Sequence, residues 1–103
     1  MPDFLKMMQQ VQQMQGRLKE LQDDLQRITV TGSAGGGMVT VEADGKGQVR
    51  RVRIDPSVVN PADVEMLEDL VTVATAEAQK KAAETAESEM RKLTGGLDLP
   101  LPL

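Results

Sequence analysis

Residues 4–28 read FLKMMQQVQQMQGRLKELQDDLQRI, and this stretch decides the fold because it carries an uninterrupted heptad pattern. Apolar side chains fill all eight seam positions over four heptads, namely Phe4, Met7, Val11, Met14, Leu18, Leu21, Leu25 and Ile28. A repeat of about 3.5 residues makes one narrow apolar stripe, which suits another helix better than a broad globular core. The pattern therefore predicts a helix over residues 3–28 whose seam packs against a partner helix.

A second helix is predicted over residues 61–93, with Asn60 as its N-cap and Pro61 at its first position. Its apolar stripe consists of Val64, Leu67, Val71, Ala74, Ala78, Ala82, Ala86, Met90 and Leu93. Alanine dominates the second half, so a partner helix can approach closely there but little area is buried. We expect that half to be the less stable one. Gly95 and Gly96 should end the helix, and residues 97–103 should form a mobile tail.

Between the helices the apolar period changes to two, which predicts three antiparallel strands at residues 28–33, 38–44 and 48–54. Glycine-rich residues 32–37 separate the first two strands, and Asp44-Gly45-Lys46-Gly47 is a hairpin signal between the last two. The predicted fold is α+β: a helix, a three-stranded antiparallel sheet and a helix. Residues 1–96 would form one domain.

Composition limits both the core and the chemistry. The chain has 103 residues and one aromatic side chain, Phe4, so a sheet this small favours a homodimer that covers its apolar face. It contains no cysteine and no histidine, which removes the commonest nucleophiles, bases and zinc ligands. We therefore predict no enzyme, no metal, no cofactor and no small-molecule substrate. No apolar run is long enough to span a membrane, and the N-terminus lacks signal-peptide features. These features favour a soluble, cytoplasmic protein.

Charge is distributed unevenly along the chain, whose net charge is −4. Residues 1–60 hold eight cations and seven carboxylates, whereas residues 61–103 hold four and nine. The candidate contacts to nucleic-acid phosphates are Lys6, Arg17, Lys19, Arg50, Arg51, Arg53, Lys80, Lys81, Arg91 and Lys92.

The densest basic cluster is at residues 50–53. Spacing alone favours a solvated outer sheet face for Arg51 and Arg53, beside Thr40 and Glu42, over phosphate contact. Arg50 would sit at the margin of the apolar face.

The two helices offer another possible cluster. If they form an antiparallel hairpin, Lys6 would lie near Arg91 and Lys92 at its free end.

The stretch RRVRIDPS at residues 50–57 resembles the YbaB/EbfC family of bacterial nucleoid-associated proteins. Further matching stretches are MMQQ at 7–10, QQMQ at 12–15, TG at 31–32, EMLEDLV at 65–71 and LP at 99–100. The resemblance covers nearly the whole chain in order. It implies a cytoplasmic, non-enzymatic homodimer of the nucleoid whose protomers meet through the strand region. The long helices would project as two arms that grip duplex DNA. Of the candidate contacts, Arg50, Arg51 and Arg53 lie within the stretch at residues 50–57.

A second class of function stays open at this point. Two long helices joined through β-hairpins also resemble prefoldin in outline, so the arms could hold protein partners as a scaffold or chaperone-like module. Exposed apolar residues at the arm tips would favour this alternative, and clustered cations there would favour DNA. The net charge of −4 predicts DNA binding that is weak, salt-sensitive and largely independent of sequence.

Overall fold

The structure, a computed structural model, describes residues 3–93 and Gly95. In chain order it contains α1 (Phe4–Arg27), β1 (Thr29–Ala34), β2 (Val39–Asp44), β3 (Val49–Ile54), a short 3-10 helix (Pro56–Val58) and α2 (Val64–Leu93). The order of helix, three-stranded antiparallel sheet and helix confirms the predicted fold class. The predicted tail, the domain boundary before it and Gly96 lie outside the described residues.

α1 has well-defined ends that follow from its sequence. Asp3 caps its start, because the Asp3 carboxylate accepts a hydrogen bond of 3.3 Å from the backbone N–H of Lys6. The helix ends at Arg27, where Ile28 turns extended and begins the β-branched run that leads into β1. The 24 residues of α1 make a helix about 36 Å long.

β2 is the central strand, paired antiparallel with β1 on one side and β3 on the other. Each strand starts and ends within one residue of its predicted position. The turn between β1 and β2 uses Gly35, Gly36 and Gly37, all with positive φ, which residues with a Cβ rarely adopt.

The core lies where α2 crosses the sheet. Its buried residues are Ala34, Val39, Val41, Ala43, Val58, Ala74 and Ala78. A Cβ added at Gly32 on β1 would collide with the backbone of Ala74 and Ala78, so strand and helix are in direct backbone contact. At Ala74 and Ala78 the alanine stripe of α2 therefore packs on a strand and not on the partner helix that we expected, and both residues are completely buried. The lower stability expected for the second half of α2 stays a prediction.

α2 begins at Val64, three residues later than predicted. The side chain of Asp63 accepts a hydrogen bond of 3.2 Å from the backbone N–H of Met66, which is the capping interaction of a helix that starts at the next residue. Asn60 instead accepts a bond from the N–H of Ala62 and stabilises a preceding turn. Aspartate at position 63 thus takes the capping role that the sequence had suggested for Asn60.

The described residues of this chain cover only the second half of the seam predicted for α1. Only Leu21 and Leu25 are buried, while Phe4, Met7, Val11 and Met14 are between 42% and 70% exposed. α2 ends at Leu93, in a cleft that Arg17 and Leu21 also line, so no described helix of this chain accompanies the preceding turns of α1. The molecule is consequently elongated, at 74 × 21 × 16 Å, and α1 projects as an arm.

β3 is the uncovered edge of the sheet. Val49, Val52 and Ile54 pair with β2 residues whose side chains are buried beneath α2, so they lie on the same face. They nevertheless remain 39–42% exposed, because α2 packs over β1 and β2. One strip of the apolar sheet face therefore has no cover among the described residues.

Candidate nucleic-acid interface

The projecting part of α1 is positively charged. Between Phe4 and Lys19 the chain has three cations and no carboxylate, although its net charge is −4. Lys6, Arg17 and Lys19 are all exposed, and within residues 3–93 none of them is in an ion pair. Lys6 and Arg17 lie on one side of the helix because their separation of eleven residues is close to three full turns, about 16 Å.

Glutamines extend this side of the arm. Gln10 and Gln13 fall between Lys6 and Arg17 at helical spacing, and both are exposed. We call Lys6, Gln10, Gln13 and Arg17 the cationic stripe. An extended row of cations and amides offers hydrogen-bond donors to phosphate oxygens, and all four side chains are exposed.

β3 presents a second set of cations on the face away from α2. Arg51 pairs in register with Glu42, and Arg53 with Thr40, as predicted. Neither arginine forms an ion pair among the described residues, so the expected neighbour Glu42 does not neutralise Arg51 by direct contact. Both guanidinium groups are therefore free to meet an anion.

Arg50 is engaged within the protein. A bulge between Glu42 and Ala43 pairs Ala43 with Val49, so Arg50 leaves the predicted register at the margin of the apolar face. Its guanidinium donates a hydrogen bond of 2.8 Å to the carboxylate of Asp44, which is 1% exposed, and one of 3.5 Å to the backbone carbonyl of Gln26. Arg50 thus joins the end of α1 to the hairpin.

Asp44 organises that hairpin, a role that the sequence analysis missed. Besides Arg50, its carboxylate accepts hydrogen bonds from the backbone N–H groups of Lys46 at 2.9 Å and Gln48 at 3.0 Å. The Arg50 side-chain hydrogen bond is the largest cause that lowers the pKa of Asp44, and the two backbone bonds also lower it, against the opposing effect of burial. An aspartate before a glycine turn was the available signal, because Asx side chains often bond backbone groups two residues ahead.

The cations of α2 are mostly paired with their own helix. Lys81 contacts Glu77 at 3.2 Å and donates a hydrogen bond of 2.9 Å to the carbonyl of Thr31. Arg91 pairs with Glu87 at 2.7 Å, and Lys92 pairs with Glu89 at 3.2 Å. α2 contains seven carboxylates against four cations, so its own charges offset the attraction that these cations exert on an anion.

The predicted cluster of Lys6, Arg91 and Lys92 does not form at one tip. Lys92 lies beside Arg17, in a cleft that Glu20, Asp24 and Glu89 also line. Lys6 is about three helical turns further along α1. The structure therefore brings Arg17 and Lys92 together and leaves Lys6 on the free part of the arm.

Two classes of site are not found in the part of the chain that the structure describes. Its acidic residues include no group placed to hold a metal ion. No helix among residues 3–93 is long and apolar enough to cross a membrane.

Comparison with known proteins agrees with this architecture. A crystallised, uncharacterized protein from Helicobacter pylori has the same fold, with a TM-score of 0.82 over 92% of this chain and 100% of that chain, at 23% sequence identity. A nucleoid-associated protein of Gemmatimonas aurantiaca is 52% identical over 98% of this chain and 97% of its own. A nucleoid-associated protein of Rhodopseudomonas palustris is 50% identical over 97% and 95%.

The model of the YbaB/EbfC DNA-binding family matches residues 1–97, which is nearly the whole chain. Together with the high identity to nucleoid-associated relatives over their full lengths, this match confirms the resemblance noted in the sequence. The chain belongs to the YbaB/EbfC family of nucleoid-associated DNA-binding proteins.

Proposed function

We propose that this protein is a homodimer of the bacterial nucleoid that binds duplex DNA through phosphate contacts made by its α1 arms. The observation that carries the proposal is the charge of residues 4–19, which hold three exposed cations and no carboxylate in an acidic chain. The part of the arm around Lys6 lies about three helical turns beyond the end of α2, so a duplex can approach it away from the seven carboxylates of that helix. Arg17 lies at the inner end of the arm, beside the cleft that Glu89 also lines.

In this proposal the cationic stripe makes the largest contribution to DNA binding, and Arg51 and Arg53 make the next largest. Lys19 and Lys80 are also exposed and unpaired within residues 3–93, and they add weaker attraction from the flanks. Arg50, Lys81, Arg91 and Lys92 contribute least because each already contacts a carboxylate. Contacts to phosphates do not read the bases, so binding is largely independent of DNA sequence. In this proposal the bound protein affects nucleoid organisation or gene expression.

Dimerisation is the second part of the proposal, and β3 is the surface that supports it. Val49, Val52 and Ile54 form an apolar strip beside the free edge of a three-stranded sheet. Sheets of this size need their apolar face covered, and open edge strands readily pair with another chain. A second copy on this surface covers the strip and places two arms on one particle, which raises the affinity for a long polyanion.

Sedimentation tests the dimer. At micromolar concentration the particle should have twice the chain mass of 11.2 kDa. Val52→Asp should shift it to a monomer, because a charge on the covered strip lacks a partner. Val73→Asp is the matched control, since Val73 is 56% exposed on α2 and should leave the mass unchanged. A folded monomer of the parent protein would contradict this part.

DNA binding is tested by titrating random duplex DNA at two or more salt concentrations. Replacing Lys6, Arg17 and Lys19 by alanine should weaken binding to all sequences alike. It should also flatten the dependence of log affinity on log salt by roughly 0.9 for each phosphate that the variant no longer neutralises. The matched control replaces Lys81, Arg91 and Lys92, which also removes three cations. An equal effect of both triple variants would mean that net charge, rather than the arm, governs binding.

A scaffold or chaperone-like module is the second candidate function. It is favoured by the apolar side chains exposed near the free end of α1, where Phe4 is 70% and Leu5 74% exposed. Absence of binding to duplex DNA at low salt would support this candidate over the first. If DNA binding is retained after Phe4 and Leu5 are replaced by alanine, these apolar side chains are not part of the DNA-binding surface.

A further inference from the structure

An apolar strip on α1 has no cover among the described residues. It consists of Phe4, Met7, Met8, Val11 and Met14, which are 42–70% exposed. The first four, with Gln12 and Gln15, line a groove of about 390 Å³. We call these five residues the α1 strip. Contiguous exposed apolar side chains of this extent usually mark a surface that another segment covers.

The α1 strip continues the seam that α2 covers further along. Leu21 is buried where the last turn of α2 lies beside it, and the strip begins where α2 stops. Gly95 ends the helix with φ of 67° and a backbone hydrogen bond of 3.3 Å from its N–H to the carbonyl of Lys92. α2 therefore ends next to the uncovered part of the seam.

The sequence after Gly95 suits this surface. Residues 97–103 read LDLPLPL, with leucine at every second position and no cation. Pro100 and Pro102 have no backbone N–H to leave unpaired on an apolar surface, and a proline disfavours helical backbone at the residue before it. An extended segment with alternating leucines presents one apolar edge.

The segment is also long enough. Eight residues, 96–103, span at most about 26–29 Å when extended. The distance along α1 from Arg17, beside the end of α2, to Phe4 is about 20 Å. The segment can therefore follow the whole α1 strip from the position where α2 ends.

Charge favours this occupant over a second α1 arm. A second α1 arm on the strip would add three cations and no carboxylate between Phe4 and Lys19, although the cationic stripe of each arm would face outward. The segment 97–103 brings one carboxylate, Asp98, and no cation. Its attachment to the same chain also gives it a millimolar-range effective concentration near the strip.

We propose that residues 97–103 dock on the α1 strip of their own chain, where their leucines take over the seam from α2. This revises the expectation of a mobile tail without a periodic apolar edge. The docked segment leaves the cationic stripe open, because Lys6 and Arg17 lie about 130° around α1 from the centre of the strip at 100° per residue. The docking is independent of DNA binding.

Disulfide trapping tests the proposal directly, because the chain contains no cysteine of its own. Met7→Cys is combined with Leu99→Cys, and the matched control combines Gln9→Cys with Leu99→Cys. Residue 9 is close in sequence but lies on the opposite side of α1 from the strip. Under mild oxidation the first pair should close within one chain at least about tenfold faster than the control, given the effective concentration of a docked segment.

Mixing isotopically labelled and unlabelled chains separates the possible occupants. Disulfides within single chains support the proposal. Equal rates for the two pairs, or disulfides mainly between labelled and unlabelled chains, would overturn it in favour of an undocked segment or a second copy.

Hydrogen exchange gives a readout without introduced cysteines. Ending the chain at Gly95 should speed amide exchange in residues 4–14 at least about fivefold, since fraying of an uncovered helix end costs little free energy. Exchange in the sheet should be unchanged, and Asp98→Asn should leave residues 4–14 as in the full chain. Unchanged exchange in residues 4–14 after truncation would also overturn the docking.

Discussion

α1 and α2 are both long amphipathic helices, of 24 and 30 residues, but the fold holds them in different ways. α2 lies across β1 and β2 with alanine against backbone, so its middle turns belong to the core. α1 contacts the rest of the chain mainly through its last two turns, at Leu21 and Leu25. The helix with the stronger apolar seam in the sequence is therefore the one held less tightly by its own chain.

This difference shows that a strong apolar pattern does not identify its partner. Small side chains on α2 allow direct contact with a strand, whereas the large side chains of the α1 seam extend past the end of α2. Charge follows the same division, because the free part of α1 is purely cationic and α2 is acidic. One helix stabilises the sheet, and the other is exposed for interaction.

The largest expected effect is at the contact between α2 and the sheet. Gly32→Val would force branched carbons into the backbone of Ala74 and Ala78, which cannot move aside as a flexible side chain could. We expect a loss of about 3 kcal/mol or more in the free energy of unfolding, measured by urea denaturation. Gly36→Ala is the control, because a Cβ at Gly36 would meet nothing within 4 Å. Its positive φ disfavours alanine, so we expect some loss of stability there, but a smaller one than at Gly32. A loss at Gly32 no larger than at Gly36 would contradict the close packing.

Next in size is the contrast along α1 itself. Leu25→Ala removes a side chain that is 6% exposed and should cost about 2–3 kcal/mol of stability. Phe4→Ala, at a seam position that is 70% exposed, should cost less than about 1 kcal/mol. Chemical denaturation of both variants measures the difference. Similar losses at the two positions would show that α1 is packed evenly along its length.

The strands and the ends of α1 were predictable because their signals are local. Alternation in Thr29–Ala34 and Val39–Asp44, and glycines at positions that require positive φ, define the strands and turns to within one residue. The partner of each apolar face was not predictable, because it depends on where α2 crosses the sheet.

The candidate site was predictable only as a set of cations. Which of them are free depends on contacts distant in sequence, such as Arg50 with Gln26 and Lys81 with Thr31. The bulge that moves Arg50 toward Asp44 likewise gives no periodic signal, since it breaks the period.

A smaller, pH-dependent effect concerns the link between α1 and the hairpin. Because the pKa of Asp44 is lower in the folded protein, its contribution to stability is present above the unfolded pKa of about 3.9 and is lost as the pH falls through the folded pKa. The melting temperature should therefore fall as the solution is acidified below about pH 4. Asp44→Asn should melt lower than the parent at pH 7 and change less on acidification. A parallel pH dependence of the two proteins would assign the acid sensitivity to other carboxylates.

The smallest expected effect is a gain, and it tests how free the arm is. Gly16 sits in the middle of α1, and a Cβ built there meets nothing within 4 Å. Alanine loses less backbone entropy than glycine on entering a helix, so Gly16→Ala should raise the free energy of unfolding by about 0.5–1 kcal/mol if that turn unfolds together with the domain. If the arm frays independently, global unfolding will not register the change, and only slower amide exchange in residues 4–20 will report it. A loss of stability would mean that a partner such as a second copy contacts α1 closely at Gly16, on the side away from the α1 strip. A gain in stability or slower amide exchange therefore indicates that α1 is open at Gly16, and a loss of stability indicates that it is covered there.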